Sequence, residues 1–420
     1  MKNYRPRLAD NELKRGLEAF GAMLIVGPKW CGKTTTAEQV ARSAIYMQDL
    51  DKEDEYQQMM KIKPSFLLEG EKPRLIDEWQ TAPRLWDVVR HSIDRLSEEG
   101  LYILTGSTTV DESKIKHSGA GRIGRMKMYT MSLYESGDSN GDVSLSDMFS
   151  GTPASGRSPL SIQDLASIIV RGGWPKTLGK GPTVIHEQIK GYCEMILSSE
   201  VKTLDGVDRD SHKMRQILRS ISRNISTSAP DTTILADIKK KDNVSMHINT
   251  LRDYEKVLRE IYVIEDLPAW TPKLRSKATI RTSDIRHLID PAIAAYFLNA
   301  SEKDLLADPN TFGLLFESLV IRDLRVYVRS LGGEVLHYHD SNGLEADAVV
   351  HLYDGRWGAV EVKLGAGMID AAAENLLKIK NKVESDSVGA PSFLVVITGT
   401  EYAYTREDGV HVVPIGCLKD

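Results

Sequence analysis

The first third of the chain alternates short apolar runs with amphipathic stretches. "AMLIVG" (22–27), "RLIDEW" (74–79) and "LYILTG" (101–106) each read as a short buried strand. "KTTTAEQVARSA" (33–44) and "RLWDVVRHSIDRLSEEG" (84–100) space their apolar residues as helices do, the second stopping on glycine. Such alternation predicts a mostly parallel sheet covered on both faces. The stretch 135–161 is rich in Gly, Ser and Asp and predicts a loop, insertion or boundary.

From about 161 to 300 the pattern turns helical, with amphipathic runs at 185–201 and 212–226. Residues 232–270 give a helix, a short polar break, a second helix and then a strand. "FGLLFESLVIRDLRVYVRSLGG" (312–333) predicts a long helix ending on Gly332–Gly333. Strand-like segments follow at "EVLHYHD", "EADAVVHLY", "WGAVEVKL", "SFLVVITG" and "GVHVVPIG".

Composition narrows the picture. The 420 residues are 41% hydrophobic and 27% charged, which describes an ordinary globular protein with room for two to four domains. The net charge of -5 means that any surface for nucleic acid is local. Cys31, Cys193 and Cys417 are far apart and odd in number, which argues against a disulfide framework or a zinc site. The opening "MKNYRPRLAD" has no apolar signal core, and no apolar run approaches a membrane span. A cytoplasmic protein without membrane insertion is the expectation.

"GPKWCGKTT" (27–35) fits G-x-x-x-x-G-K-[ST] between a strand and a helix. Gly27, Pro28, Lys29, Trp30, Cys31, Gly32, Lys33, Thr34 and Thr35 form the candidate phosphate loop. Its backbone N–H groups and the helix N-terminus make an anion nest. Lys33 is expected on the β- and γ-phosphates of ATP, and Thr34 on Mg²⁺. Asp77 and Glu78 end a strand at the edge where such sheets bind ligands. Asp77 is expected to hold Mg²⁺ and Glu78 to orient the attacking water. Thr105 or Ser107, at the end of the next strand, is placed to sense the γ-phosphate. The bland alternative for Asp77–Glu78 is an acidic pair at a helix start.

Together "GPKWCGKTT", "LIDEWQTAP", "YILTGSTT", "GAGRIGR" and "RGGWP" resemble a prokaryotic family of AAA-type ATPases whose C-terminal domain has no assigned function. The family more often carries arginine and valine where Lys29 and Cys31 stand. The resemblance implies a P-loop AAA+ ATPase assembled as a homo-oligomeric ring. It also implies that Arg122 or Arg125 reaches a neighbouring subunit's nucleotide as an arginine finger. Surface arginines without that role are the alternative.

Residues 234–254 have helix–turn–helix form: Ile234 to Lys239 as the first helix, Asp242–Asn243 as the turn, Ser245 as N-cap of the second. That second helix is expected to present His247, Asn249, Thr250 and Arg252 outward and Ile248, Leu251 and Tyr254 inward. "YVIEDL" and "TPKLRSKATIR" (271–281) suggest a wing, with Lys273, Arg275, Lys277 and Arg281 on phosphates. The resemblance supports a winged helix, used either on DNA or for subunit packing.

"AVEVKLG" (359–365) reads as a buried strand with Glu361 and Lys363 on one face. Burying both is costly unless something satisfies them. Asp347, on the preceding strand, is expected to converge on them. Asp347 and Glu361 would bind a divalent metal, Mg²⁺ or Mn²⁺, and Lys363 would stabilise charge on phosphorus. This looks like the PD-(D/E)XK nuclease fold, and Glu317 in "FGLLFESLV" matches the acidic residue of that fold's first helix. A structural salt bridge in an inactive descendant is the alternative.

The expectation is therefore an α/β chain in four parts: an AAA+ domain (1–150), a helical lid or linker (151–210), a winged helix (211–290) and a nuclease-like module (291–420). Its expected work is ATP-driven processing of duplex or branched DNA, with metal-dependent cutting as a further capacity. The rivals are a branch-migration motor with an inactive nuclease-like domain and a STAND-like switch that binds protein.

Overall fold

The computed structural model describes residues 4–107, 118–200, 207, 209–272, 283–385 and 389–420. The chain forms two compact units, Met1–Tyr129 with Glu260–Tyr262, and Thr130–Arg259 with Val263–Asp420.

In the first unit, α1 (Leu8–Ala19) leads into β1 (Ala22–Val26), and α2 (Lys33–Glu38) follows the glycine loop. Then come β2 (Ser43–Tyr46), α3 (Glu53–Ile62), β3 (Arg74–Asp77), α4 (Leu85–Leu96), β4 (Tyr102–Gly106) and β5 (Ile123–Lys127). The strands form one parallel sheet in the order β2-β3-β4-β1-β5. Alternate residues of β1 feed opposite faces: Leu24 and Val26 join one apolar cluster, Met23 and Ile25 the other. This is the period-two signature of a sheet buried on both sides. Tyr262, at φ 57°, belongs to the first of these cores.

The helix predicted over 33–44 stops at Glu38, and Ser43–Tyr46 is a strand. Its pairing with Arg74–Asp77 overrides the weak helical preference of the run.

In the second unit a seven-stranded sheet has the order β7-β12-β13-β11-β10-β9-β8. Its members are β7 (Gly156–Arg157), β8 (Gly333–His339), β9 (Glu345–Leu352), β10 (Trp357–Lys363), β11 (Phe393–Thr398), β12 (Tyr402–Thr405) and β13 (His411–Pro414). The stretch 135–161, predicted as a loop, insertion or boundary, carries β6 (Val143–Ser144), β7 and a short helix, Leu145–Phe149, capped by Ser144. β6 pairs with β14 (Leu418–Lys419), and β7 pairs with β12. Two-residue strands leave no periodicity to read. The helix Ile369–Ser385, absent from the sequence reading, packs Ile369, Ala372, Ala373, Leu376, Ile379 and Val383 on the sheet.

The "RGGWP" motif is explained by packing in this unit. A Cβ on Gly173 would stand 2.3 Å from the Met131 carbonyl oxygen. Beside it the buried Arg322 guanidinium donates to Asp290 at 3.0 Å and to Asp323 at 2.6 Å. Asp290 also accepts from Thr130 and from the Gly173 amide, and Asp323 from the Leu133 amide. Partners on every side are what make such a buried pair tolerable.

The helix–turn–helix is formed by Asp231–Asp242 and Ile248–Glu260, with Asn243 left-handed at φ 53° between them. Ser245 is not the N-cap. The second helix starts at Ile248, and the His247 ring nitrogen Nδ1 accepts from the Asn249 amide at 3.2 Å. Leu251 and Tyr254 are buried, Ile248 and Thr250 half-buried, and His247, Asn249 and Arg252 exposed. "YVIEDL" makes antiparallel bridges, Ile264 to Leu288 and Leu267 to Ile285. Lys273, Arg275, Lys277 and Arg281 lie outside the described residues.

Candidate functional site

β4 lies between β1 and β3, so the carboxyl ends of all three strands meet. The loop after β1 is shaped by two glycines. Gly27, at φ 142°, has no room for a Cβ, which would stand 2.1 Å from the Met128 carbonyl oxygen. Gly32, at φ 107°, starts α2 in a conformation that glycine adopts without strain. Trp30 is also at positive φ, 66°. Pro28 and Cys31 are buried, Lys29 is half-buried, and Trp30 and Thr35 are exposed.

Lys33 is buried, and its ammonium donates to the carbonyls of Gly27 at 3.0 Å and Pro28 at 2.9 Å. Thr34 Oγ1 donates to Asp77 Oδ1 at 2.7 Å. Thr105 Oγ1 donates to the same oxygen at 2.6 Å and accepts from the Glu78 amide at 3.3 Å. Ser107 reaches Glu78 Oε2 at 3.4 Å, and Gln80 also donates to that oxygen. Glu78, the residue just after β3, has left-handed backbone at φ 52°. A hydroxyl and a carboxylate in contact are a hard-oxygen donor pair, and this fits Mg²⁺. Loop N–H groups and Lys33 would hold the phosphates of a nucleotide at this edge.

Arg122 and Arg125 are not beside this loop. The amide of Ala22, at the start of β1, donates to the Arg122 carbonyl, and Arg125 pairs with Leu24 in mid-strand. Arg122 Nε donates to Asp94 at 2.8 Å, and Arg125 is exposed on the edge strand β5.

The second cluster is on the seven-stranded sheet. β9 and β10 pair antiparallel, with Val360 opposite Ala348, and the next step of that register sets Glu361 opposite Asp347. Lys363 Nζ donates to Glu361 Oε2 at 2.6 Å and to Asp347 Oδ2 at 3.2 Å. Asp347 Oδ2 also accepts from the Val362 amide at 2.7 Å. Burial pushes the Glu361 carboxyl up to about 7, with Asp347 adding to the rise. Burial pulls the Lys363 ammonium down, but the two carboxylates outweigh it and hold it above its ordinary value. Burial, with Asp347 next, raises the Glu317 carboxyl well above its usual range, so Glu317 shares the field of the other three.

The oxygen donors Asp347 and Glu361 suit Mg²⁺ or Mn²⁺ by chemistry. Here the Lys363 ammonium is the cation that bridges them. Among the described residues no group of three or more His, Cys, Asp and Glu side chains is arranged to hold a metal ion. Asn375 is a neighbour that sequence reasoning missed. Its amide donates to Glu361 Oε1 at 2.7 Å and to the Glu345 carbonyl at 2.6 Å. A lone Asn on a helix gives no signal until the helix is placed on the sheet.

Comparison with known proteins identifies the domain that carries the first of these clusters. Residues 19–136 match the family model described as an AAA domain. Residues 162–304 and 312–418 match two families described as domains of unknown function, DUF8612 and DUF4143. No curated protein matches the chain. Among solved structures, the Walker-type ATPase PABY2304 of Pyrococcus abyssi is 14% identical, with a TM-score of 0.43, over 70% of this chain and 96% of its own. The ORC1 protein of Aeropyrum pernix in complex with DNA is 13% identical, with a TM-score of 0.27, over 71% and 94%. The chain carries a P-loop ATPase domain of the AAA type. Among the described residues no helix is long and apolar enough to cross a membrane.

Proposed function

We propose that the protein couples Mg–ATP hydrolysis to work on duplex or branched DNA. The observation that carries this reading is at the helix–turn–helix. Lys239, Lys240 and Lys241 are consecutive and exposed at the end of its first helix, just before the exposed His247 and Asn249. Among the described residues none of the three lysines makes an ion pair. Unneutralised charge beside such a motif suits a phosphate backbone. It disfavours the switch that binds an apolar protein partner. Arg252 is less available, because Asp231 holds it at 2.8 Å. Without a readable base code, recognition by DNA shape is the expected mode.

The nucleotide site is completed in this reading by a second subunit. Arg122 or Arg125, remote from its own loop, serves the neighbour's ATP in a homo-oligomeric ring. The C-terminal sheet is read as a PD-(D/E)XK module in which Asp347 and Glu361 hold Mg²⁺ or Mn²⁺ and Glu317 and Lys363 assist cutting. A second reading keeps this module for DNA binding alone. It is favoured by the double ion pair of Lys363, which satisfies both carboxylates without a metal.

One experiment tests the whole reading. Purified protein is given ATP–Mg²⁺ or Mn²⁺ with linear, forked and four-way DNA, and binding, ATP turnover, unwinding and cutting are measured. DNA-stimulated turnover is expected. Turnover with no binding to any DNA would reject the DNA reading and leave the ATPase standing. Binding without cutting would select the second reading of the C-terminal module.

A further inference from the structure

The Arg7 side chain is buried at the start of α1, only 6% exposed, although nothing in the sequence motifs marks it. Its guanidinium forks. Nη1 donates to the Cys31 carbonyl at 2.8 Å, inside the phosphate loop, and Nη2 to the Tyr129 carbonyl at 3.0 Å, just beyond β5. The fork is itself held. The Arg7 amide donates to Asp10 Oδ2 at 2.9 Å. Tyr4 hydrogen-bonds the other Asp10 oxygen and lies 3.1 Å from Thr36 Oγ1, two residues beyond Thr34 on α2. Residues 4–10 thus grip both the loop and the helix that follows it.

The grip has a stereochemical consequence. Cys31 C=O and Gly32 N–H belong to one planar trans peptide, so they point in opposite directions. Holding the carbonyl toward Arg7 fixes the Gly32 N–H away from it. Gly32 is the residue at which a free peptide plane would turn most readily, because it has no Cβ. We propose that Arg7 is a positioning residue for nucleotide binding, one that fixes the Cys31–Gly32 peptide so that the Gly32 N–H faces the phosphates. Preorganising that donor removes a cost that binding would otherwise carry. A lysine keeps the charge, but its donors all sit on one nitrogen and do not reproduce the rigid fork in which separate nitrogens hold the Cys31 and Tyr129 carbonyls. The inference rests on the ATP site read above.

The test compares wild type, Arg7→Lys, Arg7→Ala and, as a control on the exposed side of the same helix, Lys14→Ala. Mg–ADP and Mg–ATP affinities are measured by calorimetry on the full chain, with melting temperatures taken in parallel. Both Arg7 variants are expected to lose roughly tenfold or more in affinity for either nucleotide, the scale of a lost charged hydrogen bond. Lys14→Ala is expected to bind as wild type. Full affinity in Arg7→Lys would show that charge alone suffices and would overturn the positioning role. Wild type that binds neither nucleotide would instead overturn the ATP site. If the Arg7 variants do not fold, the Gly32 amide resonance of wild-type protein decides. It is expected to shift on adding Mg–ADP, and an unmoved resonance in nucleotide-bound protein overturns the inference.

Discussion

Thr34 and Asp77, 43 positions apart in sequence, share a 2.7 Å hydrogen bond at the carboxyl edge of the first sheet. Thr105 donates to the same aspartate oxygen, so hydroxyls from two elements converge on one carboxylate. Lys33→Ala is expected to lower ATP turnover by at least 100-fold by removing the charge that meets the phosphates. Glu78→Gln is expected to bind ATP as wild type and lose hydrolysis, because it keeps shape and loses the base. Steady-state turnover and nucleotide binding decide it. Wild-type turnover in either variant would reject the assignments.

Subunit mixing checks the arginines. Lys33→Ala and the variant of whichever arginine serves the neighbour, Arg122→Ala or Arg125→Ala, are each expected to be inactive alone. Combining the responsible arginine variant with Lys33→Ala is expected to restore part of the turnover, since some interfaces then hold both groups. Proven co-assembly with no recovery for either arginine would exclude a shared site.

A divalent cation is expected to stabilise the C-terminal cluster by mass action, about 2.7 kcal/mol at a hundredfold excess over Kd. Chemical denaturation with and without Mn²⁺ measures it in wild type and Asp347→Ala. The variant is expected to lose the gain. Should cutting be found, Asp347→Ala and Lys363→Ala are each expected to stop it with ATP hydrolysis intact. An equal metal effect in wild type and variant would reject this site.

His287 supplies a pH test. Burial first, then Arg325 and His337, depress its imidazole well below 6.5. The folded protein therefore keeps His287 neutral while the unfolded chain takes up a proton below pH 6.5. The contribution to stability is complete above that pH and is lost as pH falls toward the folded value. One pH unit below 6.5 this amounts to about 1.4 kcal/mol. His287→Gln is expected to flatten the fall in unfolding free energy between pH 7.5 and 5.5. An unchanged slope would contradict it.

The lysine tip is checked by salt. Replacing Lys239, Lys240 and Lys241 together with alanine is expected to reduce the slope of log affinity against log salt by about 2.7, at roughly 0.9 per phosphate contact. Arg252→Ala, already paired with Asp231, is expected to change it less. An unaltered slope in the triple variant would move the DNA surface elsewhere.

The phosphate loop was legible because backbone chemistry fixes its sequence: two glycines at demanding φ, a lysine and a hydroxyl. β1, β3 and β4 were legible because runs buried on both faces have no polar interruption. β2 was not, since its four residues become a strand only against Arg74–Asp77. The stretch 135–161 misleads because small polar residues serve both loops and helix caps, and Ser144 within it caps a helix. Ser245 stands two residues before the true cap, where His247 takes that part with its ring. Arg7 and Asn375 act across the tertiary fold, on Cys31 and Glu361, and no local spacing announces them.

Tyr262 completes the apolar core around Leu24, Ile76 and Leu104, yet it is encoded long after them. During synthesis the ATPase fold therefore stays one aromatic short until the ribosome has passed that codon. A nascent chain arrested at Tyr129 carries every strand of the first sheet but not this ring. Genetic fusions or truncations that end there inherit the same gap.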